Sequence, residues 1–149
     1  MAGRKKVSRP SWDDYFLQIS DLAATRATCD RLKVGAVLVK DRKIISTGYC
    51  GSPKKTPDCL EVGCLMRDSH CVRTTHAEIN AVVQAAYHGT STQRSTLYCN
   101  WLPCYNCVKV LINAGIERIV YRRVYRSDPE TRKLLRQAKV KIVKLPEKK

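Results

Sequence analysis

The sequence lacks any apolar run approaching the roughly 20 residues that a membrane-spanning helix needs. Its first residues, Met1-Ala2-Gly3-Arg4-Lys5-Lys6, are not followed by an apolar stretch of the signal-peptide type. It also has no internal repeat and no low-complexity block. These absences predict a soluble, cytoplasmic protein without a membrane partner. The 149 residues, 44% of them hydrophobic, are enough for one domain that buries its core without disulfides.

Acidic residues are scarce. The chain has 13 Asp and Glu against 28 Lys and Arg, a formal net charge of +15. Residues 117–149 alone carry twelve basic and four acidic side chains. Such an excess attracts polyanions and phosphorylated ligands, or it forms a solvated face that only keeps the protein in solution. Both interpretations stay open at this point.

Cysteine, in contrast to the acidic residues, is abundant, with eight in the chain. In a small secreted chain they would indicate a disulfide framework, but that class of protein carries an export signal and is rich in loops. This sequence instead shows strong helix and strand patterns. The cysteines are therefore predicted to bind metal.

Two short segments hold the residues with the clearest chemistry. His76 and Glu78 lie in Thr75-His76-Ala77-Glu78-Ile79-Asn80-Ala81, and Cys104 and Cys107 lie in Leu102-Pro103-Cys104-Tyr105-Asn106-Cys107. One imidazole and two thiolates make a three-ligand zinc site with a fourth position free for water. The combination H-x-E followed by P-C-x-x-C is typical of zinc-dependent nucleobase deaminases.

This chemistry gives Glu78 a role without making it a ligand. Zinc on His76, Cys104 and Cys107 lowers the pKa of bound water toward about 7. Glu78 then takes the proton of that water and passes it to the ring nitrogen and the leaving amine. The alternative is a structural zinc site in which Glu78 is the fourth ligand or an idle carboxylate.

A second group of cysteines lies in the irregular stretch 50–75, which needs something to hold it. The spacing of Cys59, Cys64, His70 and Cys71 predicts a structural zinc, completed by Cys29 after the first helix. We take Cys29, Cys64, His70 and Cys71 as its ligands, with Cys59 as the alternative. Buried free thiols are the other interpretation.

Hydrophobic periodicity predicts an alternating order of helices and strands. Helices are expected over 11–28, 76–87, 104–114 and 129–138. Strands are expected over 34–39, 43–49, 96–100, 117–121 and 140–145, the first two as a hairpin. This order predicts an α/β protein, a three-layer α/β/α sandwich with a mixed five-stranded sheet. The expected domains are a basic arm (1–10), one deaminase domain (11–146) and a basic tail (147–149).

Several longer stretches resemble the deoxycytidylate (dCMP) deaminase family, most closely its bacterial late-competence and phage branches. They are Val34-Gly35-Ala36, Ile45 to Pro53, Thr75 to Ala81, Pro103 to Cys107 and Ile112 to Ile116, together with Cys-x-x-Gly-Cys and His-Cys-Val-Arg-Thr ahead of the HAE. The likeness extends from about Trp12 to Leu145.

The resemblance implies the cytidine-deaminase-like sandwich, catalytic zinc on His76, Cys104 and Cys107, proton transfer by Glu78, and conversion of dCMP to dUMP. It also implies homo-oligomers, often hexamers. In some members, nucleoside triphosphates with Mg²⁺ act as activator and inhibitor. A second zinc in part of the family touches a cysteine equivalent to Cys29.

One position departs from the family. Where the family usually has Gly-Tyr-Asn-Gly, this chain has Gly48-Tyr49-Cys50-Gly51, and the family Asn contacts the nucleotide. A thiol is a weaker hydrogen-bonding partner than an amide. Either the pocket recognises its ligand differently, or the substrate or the regulation has changed.

The remaining substrate contacts are predicted from residue type and place. The expected contacts are Tyr49, Cys50, Ala77, Trp101, Tyr125 and Arg126. Arg122, Arg123 and Arg126 are candidates for the 5′-phosphate, and Trp101 and Tyr125 either stack on a base or pack in the core. The alternative function is a deaminase acting on a base in single-stranded nucleic acid or tRNA, favoured by the positive charge. A zinc-stabilised binding module is a third.

Overall fold

A computed structural model describes residues 7–126 and 128–148. Parts of the predicted arm and tail, residues 1–6 and 149, lie outside the described residues. The helices are α1 (Trp12–Ala24), α2 (Cys59–Val62), α3 (Ala77–Tyr87), α4 (Tyr105–Asn113) and α5 (Pro129–Gln137). The strands are β1 (Gly35–Lys40), β2 (Lys43–Tyr49), β3 (Met66–Arg67), β4 (His70–Cys71), β5 (Thr96–Trp101), β6 (Arg118–Arg123) and β7 (Lys141–Lys144). Within the described residues, no helix has the length and apolar character needed to cross a bilayer.

The main sheet has five strands in the order β2-β1-β5-β6-β7. The hairpin β1–β2 and the pair β1–β5 are antiparallel, whereas β5–β6 and β6–β7 are parallel. Parallel neighbours require crossover connections, which α4 and α5 supply. The predicted α/β/α sandwich with a mixed five-stranded sheet is confirmed.

Two hydrophobic clusters occupy the two faces of the sheet. On one face, α1 packs Phe16 and Leu17 against Val37, Tyr98 and Val120. On the other face, the core joins α3, α4 and α5 to the sheet through the buried residues Ala81, Val108, Leu111, Leu135, Leu97 and Ile119. Because side chains alternate along a strand, residues 97 and 98 serve opposite faces.

Helix backbones approach both faces of the β1–β2 hairpin closely. A Cβ on Gly35 would lie 2.0 Å from the Ser20 carbonyl oxygen of α1. A Cβ on Gly48 would lie 2.2 Å from the Ala77 carbonyl oxygen of α3. The absence of a side chain at Gly48 therefore permits the close approach of the α3 backbone to β2.

The structure differs from the sequence prediction mainly at element ends and in the stretch 50–75. The first helix ends at Ala24 rather than Thr28. The stretch predicted to be irregular contains α2 and the hairpin β3–β4, whose turn residues Asp68 and Ser69 have positive φ. Asp58 begins α2 with a capping box to Glu61. These elements have four and two residues, too few for a periodic pattern to reveal.

Candidate active site and second metal centre

Two helix starts meet at the carboxyl ends of the strands. His76 is the N-cap of α3 and Cys104 is the N-cap of α4, and neither side chain caps its own helix. Both side chains are therefore free to face each other. His76 Nδ1 lies 3.3 Å from Cys107 Sγ and 3.6 Å from Cys104 Sγ. The sequence-predicted triplet is thus brought together, its ligand atoms all within 4.8 Å of one another.

These distances fit a tetrahedral zinc ion. With Zn–N near 2.1 Å and Zn–S near 2.3 Å, tetrahedral geometry places N and S about 3.6 Å apart. Cys107 is buried, whereas His76 and Cys104 are exposed, so a metal ion held by the three would be accessible from solvent. A hydrogen bond from Cys107 lowers the pKa of Cys104 to about 4, so Cys104 carries the negative charge that zinc prefers.

Glu78 lies in the first turn of α3, two residues after His76, and is only 4% exposed. Burial raises the pKa of its carboxyl group, and the nearby His76 opposes that shift. The buried thiol of Cys99 lies beneath it, with its own pKa raised by burial and by the charge of Glu78. A buried carboxyl group with a raised pKa is suited to taking up and releasing a proton during a reaction.

Asn80 and Asn100 hold the segments around this group, a role that the sequence analysis did not assign. The Asn80 amide donates to the carbonyl oxygens of Tyr49, at 2.8 Å, and Thr75, at 3.2 Å. Asn100 accepts from the Gly35 N–H at 3.0 Å and donates to the Lys33 carbonyl. The sequence gives one indication of such a role. Asn100 is a polar residue near the end of an otherwise largely apolar strand, and Asn80 follows the start of a helix.

Four thiols form a second group. Cys29 Sγ lies 3.6 Å from Cys64 Sγ, and Cys59 Sγ lies 3.5 Å from Cys71 Sγ. All four sulfur atoms lie within 4.8 Å of one another, close to the separation of about 3.8 Å that a tetrahedral zinc with four thiolates requires. Burial opposes ionisation of Cys71, but the backbone N–H of Arg73 and the Cys59 thiol lower its pKa to about 7.

This group differs from the predicted ligand set in one member. Cys59, named as the alternative ligand, belongs to it, whereas His70 does not. His70 and Cys71 are neighbours in β4, so their side chains point to opposite sides. His70 Nε2 instead lies 3.4 Å from Arg126 Nη1.

Cys50 lies between the two groups. Its thiol donates to Thr74 Oγ1 at 3.3 Å, and its backbone pairs with Val34 and Thr28. Burial raises the pKa of the thiol, and the charges of Cys29 and Glu78 add to the shift. Cys50 therefore links the end of β2 to the α1–β1 connection.

The other residues predicted to contact the substrate lie in three different environments. Ala77 is fully buried and Tyr49 is 38% exposed. Trp101 and Tyr125 pack edge to face, with ring centroids 6.3 Å apart. Arg126 lies over the Tyr125 ring, 5.8 Å from its centroid. Trp101 is half-buried and Tyr125 is 55% exposed, so this aromatic pair lies at the surface rather than in the core.

Two of the three arginines considered for the phosphate are committed elsewhere. Arg122 is buried on the α1 face and pairs with Asp21 at 2.7 Å and with Asp14 at 3.5 Å. Arg123 pairs with Glu147 of the C-terminal segment. Both also line a cleft of about 710 Å³ that includes neither the His76 group nor the four-thiol group. Only Arg126 of the three has no acidic partner within 4.0 Å among residues 7–126 and 128–148.

Comparison with known proteins identifies the family and supports the fold. Residues 10–123 match the family model described as the cytidine and deoxycytidylate deaminase zinc-binding region. The chain belongs to this family. ComE operon protein 2 of Bacillus subtilis is 42% identical over 136 residues, which are 91% of this chain and 72% of that protein.

Two further relatives extend the likeness. The deoxycytidylate deaminase of Saccharomyces cerevisiae is 37% identical over 142 residues, 91% of this chain, but the chain spans only 45% of the yeast protein. The dCMP deaminase of cyanophage S-TIM5, crystallised with dCMP and dUMP, superposes with a TM-score of 0.81. The identity is 29%, and the match covers 93% of this chain and all of the phage chain. The predicted resemblance to dCMP deaminases is confirmed.

Proposed function

We propose that the protein hydrolyses the exocyclic amine of dCMP, giving dUMP and ammonia. The observation that carries the proposal is the convergence of His76, Cys104 and Cys107 beside the buried carboxyl group of Glu78. Relatives named deoxycytidylate deaminase, and a phage enzyme crystallised with dCMP and dUMP, support the choice of substrate.

The ligand triplet would hold zinc, which supplies a hydroxide nucleophile at neutral pH when it is bound. Glu78 accepts one proton of the attacking water and delivers it to the ring nitrogen beside the attacked carbon. It then takes the proton of the hydroxyl group added to that carbon and delivers it to the amine, which leaves as ammonia when the C–N bond breaks. Burial of Glu78 keeps bulk water from competing for that proton. The α3 N-terminus holds its carboxyl group in place, because Asn80 ties this turn to β2.

The test is an ultraviolet deamination assay on dCMP, dCTP, cytidine and single-stranded DNA, run side by side. We expect turnover of dCMP above the others. Absence of dCMP turnover by the zinc-loaded protein would contradict the proposal.

We also propose that Cys29, Cys59, Cys64 and Cys71 hold a second, structural zinc. Four converging thiols without an open position support a closed site. The site would fix the stretch 50–75, whose elements are too short to be stable alone. Metal analysis should give two zinc ions per chain, and one ion per chain would contradict this site.

Deamination of a base in single-stranded nucleic acid or tRNA is the second candidate function. The net charge of +15 favours it, because basic surfaces bind phosphate backbones. It requires affinity for oligonucleotides that falls steeply with salt and deamination within an oligonucleotide. A lack of both would eliminate it.

The assembly and setting are proposals of the same kind. A homo-oligomer is supported by exposed apolar side chains on α3 and α4, namely Val83, Tyr87 and Tyr105. The family resemblance favours a hexamer. Eight free thiols support a reducing compartment, the cytoplasm. Residues 11–146 would form the single deaminase domain, between a basic arm and a basic tail. Sedimentation, with and without Mg²⁺ and nucleoside triphosphates, tests the oligomer and its proposed regulation.

A further inference from the structure

The four-thiol group consists of two close pairs of sulfur atoms. Cys29 Sγ lies 3.6 Å from Cys64 Sγ, and Cys59 Sγ lies 3.5 Å from Cys71 Sγ. A disulfide bond holds its two sulfur atoms about 2.05 Å apart, so each pair has to close by about 1.5 Å to become one. Side-chain rotation with a small backbone adjustment covers that distance. The fold therefore brings four thiols into two pairs that can be oxidised.

Each pair joins one buried and one accessible thiol. Cys29 and Cys59 are 3% and 8% exposed, whereas Cys64 and Cys71 are half-buried. An oxidant in solution therefore reaches Cys64 or Cys71 first, and the buried thiol of the same pair lies beside the oxidised sulfur. An accessible thiol with a second thiol next to it is the arrangement found in oxidant-sensitive cysteines.

The segments that carry these thiols can adjust without disturbing the main sheet. Cys59 begins the four-residue helix α2, Cys71 ends the two-residue strand β4, Cys64 lies between them, and Cys29 lies in the α1–β1 connection. Closing either pair moves no long helix and no strand of the five-stranded sheet. Cys107, in contrast, lies in α4 and is fully buried.

The stretch 50–75, which carries three of the four thiols, is joined directly to the catalytic segment. Gly51 and Thr75 exchange two backbone hydrogen bonds, of 3.2 and 2.9 Å, and Thr75 precedes His76. Thr28, which adjoins the four-thiol group, donates its backbone N–H to the Cys50 carbonyl oxygen at 3.0 Å. A change of geometry in the four-thiol group is therefore passed to the segment that positions His76.

We propose that the four-thiol group is a reversible modification site, at which hydroperoxides form the disulfides Cys29–Cys64 and Cys59–Cys71, release the metal and lower turnover. The loss of metal and of turnover rests on the proposed structural zinc and the proposed deamination. The two disulfides rest on the positions of the sulfur atoms alone.

The oxidation proceeds in two steps at each pair. The accessible sulfur attacks the O–O bond of the peroxide, becomes a sulfenic acid and releases one water molecule from hydrogen peroxide. The buried thiol then attacks that sulfur, so that an S–S bond forms and the second water molecule leaves. Thiolates held on zinc take up two protons per pair from solvent in the process. Two peroxide molecules thus oxidise both pairs, and a dithiol reductant reverses the change by thiol–disulfide exchange.

The experiment treats the zinc-loaded full-length protein with hydrogen peroxide, alkylates the remaining thiols and maps the disulfides by mass spectrometry. Four of the eight thiols should be lost, as Cys29–Cys64 and Cys59–Cys71, and a chromogenic chelator should record a fall from two zinc ions per chain to one. Dithiothreitol and zinc should restore the starting state. A different pairing within the group overturns the proposal, as does oxidation of Cys104 and Cys107 while the group stays reduced.

Two variants test the pairing further. In Cys64→Ser, Cys29 has no partner, so only Cys59–Cys71 should form and the peroxide consumed should fall by half. Cys50→Ser is the matched control, because it removes a half-buried thiol outside the pairs, and both disulfides should still form. If Cys64→Ser does not fold, the disulfide map of the wild-type protein still decides the pairing. Two disulfides in Cys64→Ser, or the loss of one in Cys50→Ser, contradict it.

Three measurements separate this proposal from those on which it rests. A single zinc ion before treatment refutes the structural zinc, and no dCMP turnover before treatment refutes the deamination. In both cases the disulfide map still decides the modification site. In a protein that starts with two zinc ions and turnover, activity should fall in step with disulfide formation while Cys104 and Cys107 stay unmodified. Full turnover of the oxidised protein overturns the link to the active site.

Discussion

The protein contains two groups of Cys and His side chains that could hold a metal ion, and the two are built in opposite ways. The His76 group has three members, two of them at helix starts and exposed. The four-thiol group has four members, drawn from connections and very short elements. A three-member group on rigid helices leaves one position for chemistry, while a four-member group leaves none and organises the chain around it. Ligand number and local rigidity thus separate a reactive site from a structural one.

The largest expected effect is a loss of activity on replacing Glu78, with both the His76 group and the four-thiol group left intact. Glu78→Gln keeps the size of the side chain but cannot take up a proton. Turnover of dCMP should fall by at least about 10³-fold, the upper part of the range for general acid–base catalysis. Zinc content should remain two per chain by elemental analysis. Turnover within tenfold of wild type would refute the role of Glu78.

Replacing one ligand in each group contrasts the two most directly. Cys59→Ser should lower zinc content from two to one and cost several kcal/mol in the free energy of unfolding, because the stretch 50–75 loses its metal. Cys104→Ser should also remove one zinc and abolish turnover, but cost less stability, because α3 and α4 remain packed on the sheet. Urea unfolding with metal analysis measures both. Equal stability losses would contradict the division into reactive and structural sites.

Gly48→Ala tests whether α3 positions the catalytic group. The new methyl group would meet the backbone of Ala77 and Ala81, which cannot move without shifting α3. We expect a loss of about 1–3 kcal/mol in the free energy of unfolding and a larger relative loss of turnover. Thr47→Ala, at the exposed neighbouring position, is the control. The four-thiol zinc should be retained, and loss of that zinc would contradict the independence of the two groups.

The smallest expected effect concerns the ion pair of Asp13 and Arg118 on the α1 face of the sheet, away from the His76 group and the four-thiol group. Arg118 lowers the pKa of Asp13 below its usual 3.8, mainly through their hydrogen bond. The stabilisation is therefore complete above the ordinary pKa of Asp and is lost as the pH falls through the lowered value. Asp13→Asn should cost about 1–2 kcal/mol at pH 7 and less near pH 3, measured by urea unfolding. Zinc content and turnover at pH 7 should not change, and a cost that grows toward low pH would contradict this assignment.

The sequence was sufficient where the ligands are local. His76 and Glu78 are two residues apart and Cys104 and Cys107 are three apart, so two short segments contain the whole proposed catalytic group. Hydrophobic periodicity likewise predicted the long helices and the order in which helices and strands follow along the chain, because each of these elements buries one continuous face.

The sequence was insufficient for predicting contacts where the direction of a side chain depends on tertiary structure. His70 was chosen as a ligand because it adjoins Cys71, yet neighbouring strand residues point to opposite sides. The same alternation sends Arg122 toward α1 and Arg123 toward the C-terminal segment. A two-residue strand has no periodic pattern, so the sequence gives no sign of that alternation at β4.

The close approach at the hairpin also restricts how the protein can vary. Gly35 and Gly48 are on adjacent register positions, and each meets a helix backbone on its own face of the sheet. Here the molecule is only three backbones thick, with no side chains to absorb a displacement. A shift of α1 near Ser20 is passed by direct contact to the first turn of α3, which carries Glu78. Changes on the sheet-facing side of α1, near Ser20 and Ala24, are therefore expected to require compensation in α3.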